Sequence, residues 1–215
     1  MKKGVYGLFK LLNISYKLKM KIGIEKLDKI VNIESPKLIL VGGRPGMMKS
    51  TFGLNIVNNI SRQNISIGIF NLETSKEEIS KKLDNVNNLF INDKPAMSIN
   101  DICNEIKRLK ENNNIKFVLI DYLQLISNDG KDILKELSDL SKDLNITICV
   151  ISQLTREPEE RQNHRPVLSD FGKNTNIEYA DIVILLYVDD KNTTDEENLE
   201  IIVAKNDNGT NYTIE

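Results

Sequence analysis

An apolar run, Lys37–Gly42, breaks into Gly43-Arg44-Pro45-Gly46-Met47-Met48-Lys49-Ser50-Thr51, and a helical pattern follows from about Lys49 to Ile60. A buried strand that turns through glycines into a helix headed by Lys-Ser-Thr is the setting in which backbone amides and a helix N-terminus surround a phosphate. Counted from Gly43, the pattern G-x-x-x-x-G-K-S/T is met at every position but one, where Met48 stands for glycine. On this reading Gly43, Arg44, Pro45, Gly46, Met48, Lys49, Ser50 and Thr51 form a nucleotide-binding loop. Lys49 neutralises the β- and γ-oxygens of ATP, and Ser50 ligates Mg²⁺. The plainer reading is a glycine turn beside an accidental Lys-Ser pair.

The rest of the chain alternates in the way such a loop requires. Short apolar runs at Ser66–Leu72, Asn88–Ile91, Lys116–Asp121, Thr147–Gln153 and Asp181–Val188 read as strands. Between them, helical patterns start near Lys76 and cover Ile99–Leu109 and Ile133–Leu144. Continuous apolar strands separated by amphipathic helices specify an α/β fold, a mostly parallel sheet flanked by helices. Leu199–Lys205 and Tyr212–Ile214, with Asn208-Gly209 between them, read as a C-terminal antiparallel hairpin.

Three further strand ends carry chemistry. Phe117-Val118-Leu119-Ile120-Asp121 places an acid where a Walker B aspartate supports Mg²⁺. Ile69-Phe70-Asn71-Leu72-Glu73 places a carboxylate that can orient or deprotonate a water. Val150-Ile151-Ser152-Gln153 ends in an amide able to sense a γ-phosphate. Each admits a bland alternative: a strand that happens to end in an acid, an acid near a helix start, a polar strand end. All of them, with the loop, fall at the carboxyl edge of their strands, where open α/β sheets bind ligands.

Composition limits the function classes. The chain has 215 residues and a net charge of −2, so it is not a basic nucleic-acid coat. Eight lysines against Glu25 and Asp28 give residues 1–30 a local +6, which leaves −8 on the remainder. Residues 4–20 place Val5, Leu8, Leu11, Leu12 and Leu18 near helical spacing. We therefore expect an N-terminal amphipathic basic helix over 1–21, serving either as a docking or phosphate-seeking arm or as a solvated helix, ahead of a domain over 22–215. The longest apolar run, Ile182–Val188, is too short to span a bilayer, and lysines interrupt the N-terminus, so no membrane segment or signal peptide is expected. Cys103 and Cys149 read as buried thiols of a reduced, cytoplasmic protein. His164, in a polar loop beside Arg165, reads as a solvated residue.

Taken in order, several strings resemble the DnaB-like replicative helicases: Gly43-Arg44-Pro45, Phe70-Asn71-Leu72-Glu73, Ile120-Asp121-Tyr122-Leu123-Gln124-Leu125 and Ser152-Gln153-Leu154-Thr155-Arg156. Arg165-Pro166 with Ser169-Asp170, Ile177-Glu178 with Ala180-Asp181, and Ala204-Lys205 with Asn208-Gly209 extend the match over about residues 22–215. The resemblance implies a RecA-like P-loop NTPase domain that assembles in rings, hydrolyses ATP between subunits and moves along single-stranded DNA. It implies that Lys49 and Ser50 bind phosphate and Mg²⁺, that Asp121 supports Mg²⁺, that Glu73 activates water and that Gln153 senses phosphate. Lys205 would reach a neighbour's nucleotide. The basic arm looks like the family's linker helix.

The departures from the family are specific. Met48 replaces a glycine whose conformation a Cβ disfavours by roughly 1–2 kcal/mol. Asp207, in Lys205-Asn206-Asp207-Asn208-Gly209, stands where the family has an arginine finger. Ser169-Asp170-Phe171 continues as Gly172-Lys173-Asn174-Thr175 instead of Arg-Glu-Ser-Gly, and the segment after Leu125 shortens to Ser127-Asn128-Asp129-Gly130; both belong to the family's DNA channel. Two functions stand side by side. One is a nucleotide-binding replication protein with impaired hydrolysis and translocation, whose ring partner is itself or a replicative helicase and whose grip on single-stranded DNA is weak. The other is an active ATP-dependent ring helicase.

Overall fold

A computed structural model describes residues 18–84, 88–188, 199–206, 209 and 211–214. The chain enters through β1 (Lys19–Met20), which pairs antiparallel with β2 (Ile33–Glu34); the short helix α1 (Glu25–Ile30) lies between them. Leu18-Lys19-Met20-Lys21-Ile22 alternates strictly, and Met20 and Ile22 are buried while both lysines are exposed. That period of two is a strand's. Lys19 and Met20 thus form a strand and not the end of the helix expected over 1–21, and residues 1–17 lie outside the described residues.

The main sheet holds β3 (Lys37–Gly43), β4 (Ile67–Asn71), β5 (Leu89–Asn92), β6 (Phe117–Asp121) and β7 (Thr147–Gln153). It is completed by β8 (Ile182–Val188), β9 (Leu199–Lys205) and β10 (Tyr212–Ile214). The order is β10-β9-β8-β3-β7-β6-β4-β5. From β8 to β5 every pairing is parallel; β9 and β10 extend one edge antiparallel, as expected of the hairpin. Gly209 in its turn has a φ of +69°, whereas Asn208 lies outside the described residues.

Four helices make the crossovers: α2 (Lys49–Ser61), α3 (Lys76–Lys82), α4 (Ile99–Asn113) and α5 (Ile133–Leu144). Because both faces of the sheet are covered, successive strand residues feed two separate cores. Ile39, Val41, Ile69, Leu119 and Ile151 pack with Phe52, Ile56, Val57 and Ile60 of α2. Leu38, Leu40, Phe70, Val118 and Val150 pack with Ile102 and Ile106 of α4 and with Leu134 and Leu137 of α5. The helix bounds have local causes. Ser98 and Asp101 form a capping box at the start of α4, and Asn114 ends it in the left-handed region at φ +51°, so α4 runs past Leu109. Asp132 accepts from the Lys135 amide to start α5, and Asn145 at φ +48° ends it.

Among the described residues no helix is long and apolar enough to cross a membrane. Both cysteines are free thiols; Cys149 is buried, while Cys103 is only partly so. Burial pushes the Cys149 thiol up to about 12, leaving it inert as a nucleophile.

Candidate functional site

Four neighbouring strands, β3, β7, β6 and β4, end at one edge of the sheet, and their last residues sit side by side. Gly43 pairs in register with Gln153, and Asn71 with Asp121. Just beyond them lies a cleft of about 460 Å³. Pro45, Gly46, Met48, Lys49, Ser50 and Thr51 line it from the loop and the head of α2; Glu73, Asp121, Tyr122 and Gln153 line it from the strand ends. Gly43, Arg44 and Lys205 do not line it.

Each of the outlying three has a visible task. A Cβ on Gly43 would stand 3.1 Å from Cγ and 3.3 Å from Cδ of Lys49, so the absent side chain makes room for the lysine stem. Arg44 donates from its guanidinium to Glu159 Oε1 at 2.8 Å, pinning the loop to the 3-10 turn Glu157–Glu160. Lys205 donates to the carbonyls of Ala180, Glu178 and Ile177 at 2.6, 2.9 and 3.4 Å, tying β9 to the turn ahead of β8 within its own chain. Asp207 lies outside the described residues.

Met48 occupies the position before α2 with φ +49° and ψ +24°, the left-handed region. An L residue pays roughly 1–2 kcal/mol to stay there, a cost glycine lacks. Gly46 is left-handed as well, at φ +81°. The Met47 sulfur accepts from the Val188 amide at 3.2 Å, holding the loop against the end of β8. The first turn of α2 contains no acid, so its amides and dipole face the cleft unopposed.

Lys49 donates from Nζ to the Arg44 carbonyl at 2.7 Å. Burial lowers its pKa, and the nearby carboxylates of Asp121 and Glu73 pull it back up. Phosphate oxygens taking the place of a neutral carbonyl would relieve this desolvated cation. Asp121 is buried; its Oδ2 faces Asn71 Nδ2 at 3.5 Å, and its Oδ1 is buried with no hydrogen-bond partner among the described residues. An orphaned carboxylate oxygen beside the Ser50 hydroxyl fits a Mg²⁺ shell. Among the described residues no group of three His, Cys, Asp or Glu side chains is placed to hold a metal ion.

Burial raises the Asp121 pKa, the nearby Ser50 hydroxyl lowers it, Glu73 raises it, and Lys49 and Lys82 lower it; the net shift is upward. A carboxyl whose folded pKa exceeds its unfolded one binds more protons when folded, so it costs stability increasingly as pH rises through that interval. Asp121→Asn is therefore expected to melt above the parent in the absence of nucleotide, by roughly 2–4 °C for each kcal/mol recovered at this chain length. Melting curves at acid and neutral pH check this: the gain should shrink at acid pH, and a variant that melts lower at both would contradict it.

Two amides missed in the sequence build the site from behind. Asn71 is buried, and its Oδ1 accepts from the amides of Glu73 at 3.1 Å and Thr74 at 2.7 Å, an Asx turn that fixes where Glu73 leaves the strand. Gln124 clamps the backbone of Gln153. Both stand inside strings already singled out, Phe70–Glu73 and Asp121–Leu125, and nothing local marks them further.

Comparison with known proteins matches this architecture. The family model for the DnaB-like helicase C terminal domain matches residues 20–86 and 80–215. The replicative DNA helicase DnaB of Geobacillus stearothermophilus is 31% identical over 234 aligned positions, covering 87% of this chain and 52% of that protein. The replicative DNA helicase DnaC of Bacillus subtilis is 30% identical with the same coverage, so the chain spans about half the length of these curated relatives. A solved DnaB-like replicative helicase, described with its interactions with primase, superposes with a TM-score of 0.75 at 24% identity, over 98% of this chain and 64% of that one. A KaiC-like protein from Pyrococcus horikoshii superposes at 0.69 with 17% identity, over 93% and 95% of the two chains, which marks the RecA-like fold. With its parallel sheet, its strand-to-helix loop and matched segments that run from residue 20 to the last, the chain belongs to the DnaB-like helicase C-terminal domain family.

Proposed function

We propose that this chain is a DnaB-like replicative-helicase motor domain that binds MgATP in the Lys49 cleft but is impaired in hydrolysis and in movement along DNA. The observation that carries the reading is Met48, held left-handed at φ +49° in an otherwise complete phosphate loop. Lys49 takes the β- and γ-oxygens, and Ser50 and Asp121 hold Mg²⁺. Bound Mg²⁺ supplies a Lewis acid that neutralises charge developing on the phosphate oxygens. Glu73, positioned by Asn71, orients the attacking water, and Gln153 meets the γ-phosphate. In a ring, formed with its own copies or with a replicative helicase, Lys205 and position 207 would face a neighbour's nucleotide. There Asp207 brings an anion where a cation is needed, and like charge near a γ-phosphate raises the barrier.

The deciding measurement is ATP turnover at saturating MgATP, with and without single-stranded DNA. We expect it to stay far below the ordinary enzyme median of about 10 s⁻¹ in both conditions. DNA-stimulated turnover at that median would instead establish the active ring helicase.

A further inference from the structure

Two clefts meet along one short stretch of chain. Asp121 and Tyr122 line the nucleotide cleft, whereas Leu123, Gln124 and Ile126 line a second one of about 510 Å³, whose far wall includes Lys173, Asn174 and Thr175. The partition is a 3-10 turn, Leu123–Leu125, anchored by buried Leu123. From this partition one side chain reaches across to the end of β7.

Gln124 Nε2 donates to the Gln153 carbonyl and to Ser152 Oγ, both at 2.9 Å, and Gln124 Oε1 accepts from the Gln153 amide at 3.0 Å. The reason for this clamp is visible in the sheet. Pairing between β6 and β7 stops at Ile120 and Val150, so on that side no strand backbone faces Ser152 or Gln153. The side-chain amide of Gln124, carrying one donor face and one acceptor face, stands in for the missing strand. On the other side Gln153 still pairs in register with Gly43 of β3, whose next residues form the phosphate loop.

We propose that Gln124 is a positioning residue that holds Gln153 at the nucleotide cleft and carries its displacement into the second cleft. The inference rests on the nucleotide reading of the Lys49 cleft. Where a γ-phosphate draws the Gln153 backbone along with its side chain, a side chain that pairs with both the N–H and the C=O of that residue follows the move. Gln124 is also wall to the second cleft, so the turn it sits on shifts against Lys173–Thr175.

The test is amide NMR of the ¹⁵N-labelled chain titrated with Mg²⁺ and the β,γ-imido analogue of ATP. In the parent we expect shifts at Lys49, Ser50 and Gln153, and also at Asn128–Lys131 and Lys173–Asn176. In Gln124→Met, which keeps the stem and loses all three bonds, the loop amides should still shift and those of the second cleft should stay still. Analogue affinity should fall about fivefold to tenfold, the worth of roughly one net hydrogen bond, with only a small fall in melting temperature because Gln124 and Gln153 are exposed and only the Ser152 hydroxyl is buried. Gln124→Glu retains an acceptor for the Gln153 N–H and should transmit a reduced shift. Second-cleft shifts that persist undiminished in Gln124→Met, or that are missing from a parent whose Lys49 and Ser50 amides do shift, overturn the relay and leave the nucleotide reading intact. No shift at Lys49 and Ser50 in the parent overturns both.

Discussion

In calorimetric titrations, Lys49→Ala should lose ATP binding by about 10²-fold or more, and Met48→Gly should tighten it. The lysine effect follows from burial. The Lys49 ammonium is half-buried against the Arg44 carbonyl with Asp121 and Glu73 nearby, and among the described residues no other cation lines the cleft. Removing it leaves phosphate to face two carboxylates with only neutral amide and hydroxyl donors of this chain in support. The Met48 effect has a ceiling set by conformation. The left-handed penalty of roughly 1–2 kcal/mol corresponds to a factor of about 5–30, and it appears in binding only to the extent that the empty loop relaxes away from φ +49°. If the loop keeps its shape without nucleotide, the penalty falls on folding, and Met48→Gly changes the melting temperature instead of the affinity. Equal affinity in the parent and both variants would remove the Lys49 cleft from consideration as a nucleotide site.

The parts of this fold that could be read in the sequence are those whose signal is local. Each central strand of the parallel sheet is a continuous apolar run because both of its faces are buried, and the bounds of α5, β7, β9 and β10 coincide with the patterns that mark them. The site was legible for the same reason, since Lys49, Glu73, Asp121 and Gln153 each terminate or follow a strand, and parallel strands with one crossover hand deliver their ends to one edge. What escaped was non-local or too short. Leu18 was counted into a helical stripe, although Leu18-Lys19-Met20-Lys21-Ile22 alternates; five residues are few enough to fit either period, and pairing with Ile33 and Glu34 decides the matter. Gln124 acts through backbone atoms of another segment, 29 positions away, which no local pattern records, whereas Asn71 acts on the amides of Glu73 and Thr74 just beyond it, inside a string that reads first as a strand end. The three carbonyls of its own chain that Lys205 also bonds were likewise invisible, because only the turn before β8 brings them near.

The pairing of β1 with β2 decides where the basic arm can be cut. The chain beyond residue 30 carries net −8, so affinity for a single strand is expected to reside in the lysine-rich arm. Removing residues 1–20 would delete β1 and expose the core that Met20 fills, so loss of binding could not be told from loss of folding. Truncation after residue 17 leaves β1 intact and removes Lys2, Lys3, Lys10 and Lys17. Four cations on a single strand give a slope of about −3 in log affinity against log salt, which amounts to roughly a 50-fold fall between 50 and 200 mM. Fluorescence anisotropy with a labelled oligonucleotide should show that fall in the parent, indifference to base sequence, and little binding at either salt after truncation. Lys173→Ala should barely matter. The wall around Lys173 is otherwise built of Asn174, Thr175 and Asn176, and Lys131 across the cleft is engaged by Asn100 Oδ1 at 2.8 Å. Tight binding that survives truncation and falls with Lys173→Ala would place the strand in the second cleft. The shortened loops would then still form a channel, and the impaired motor would have to be read as a working one.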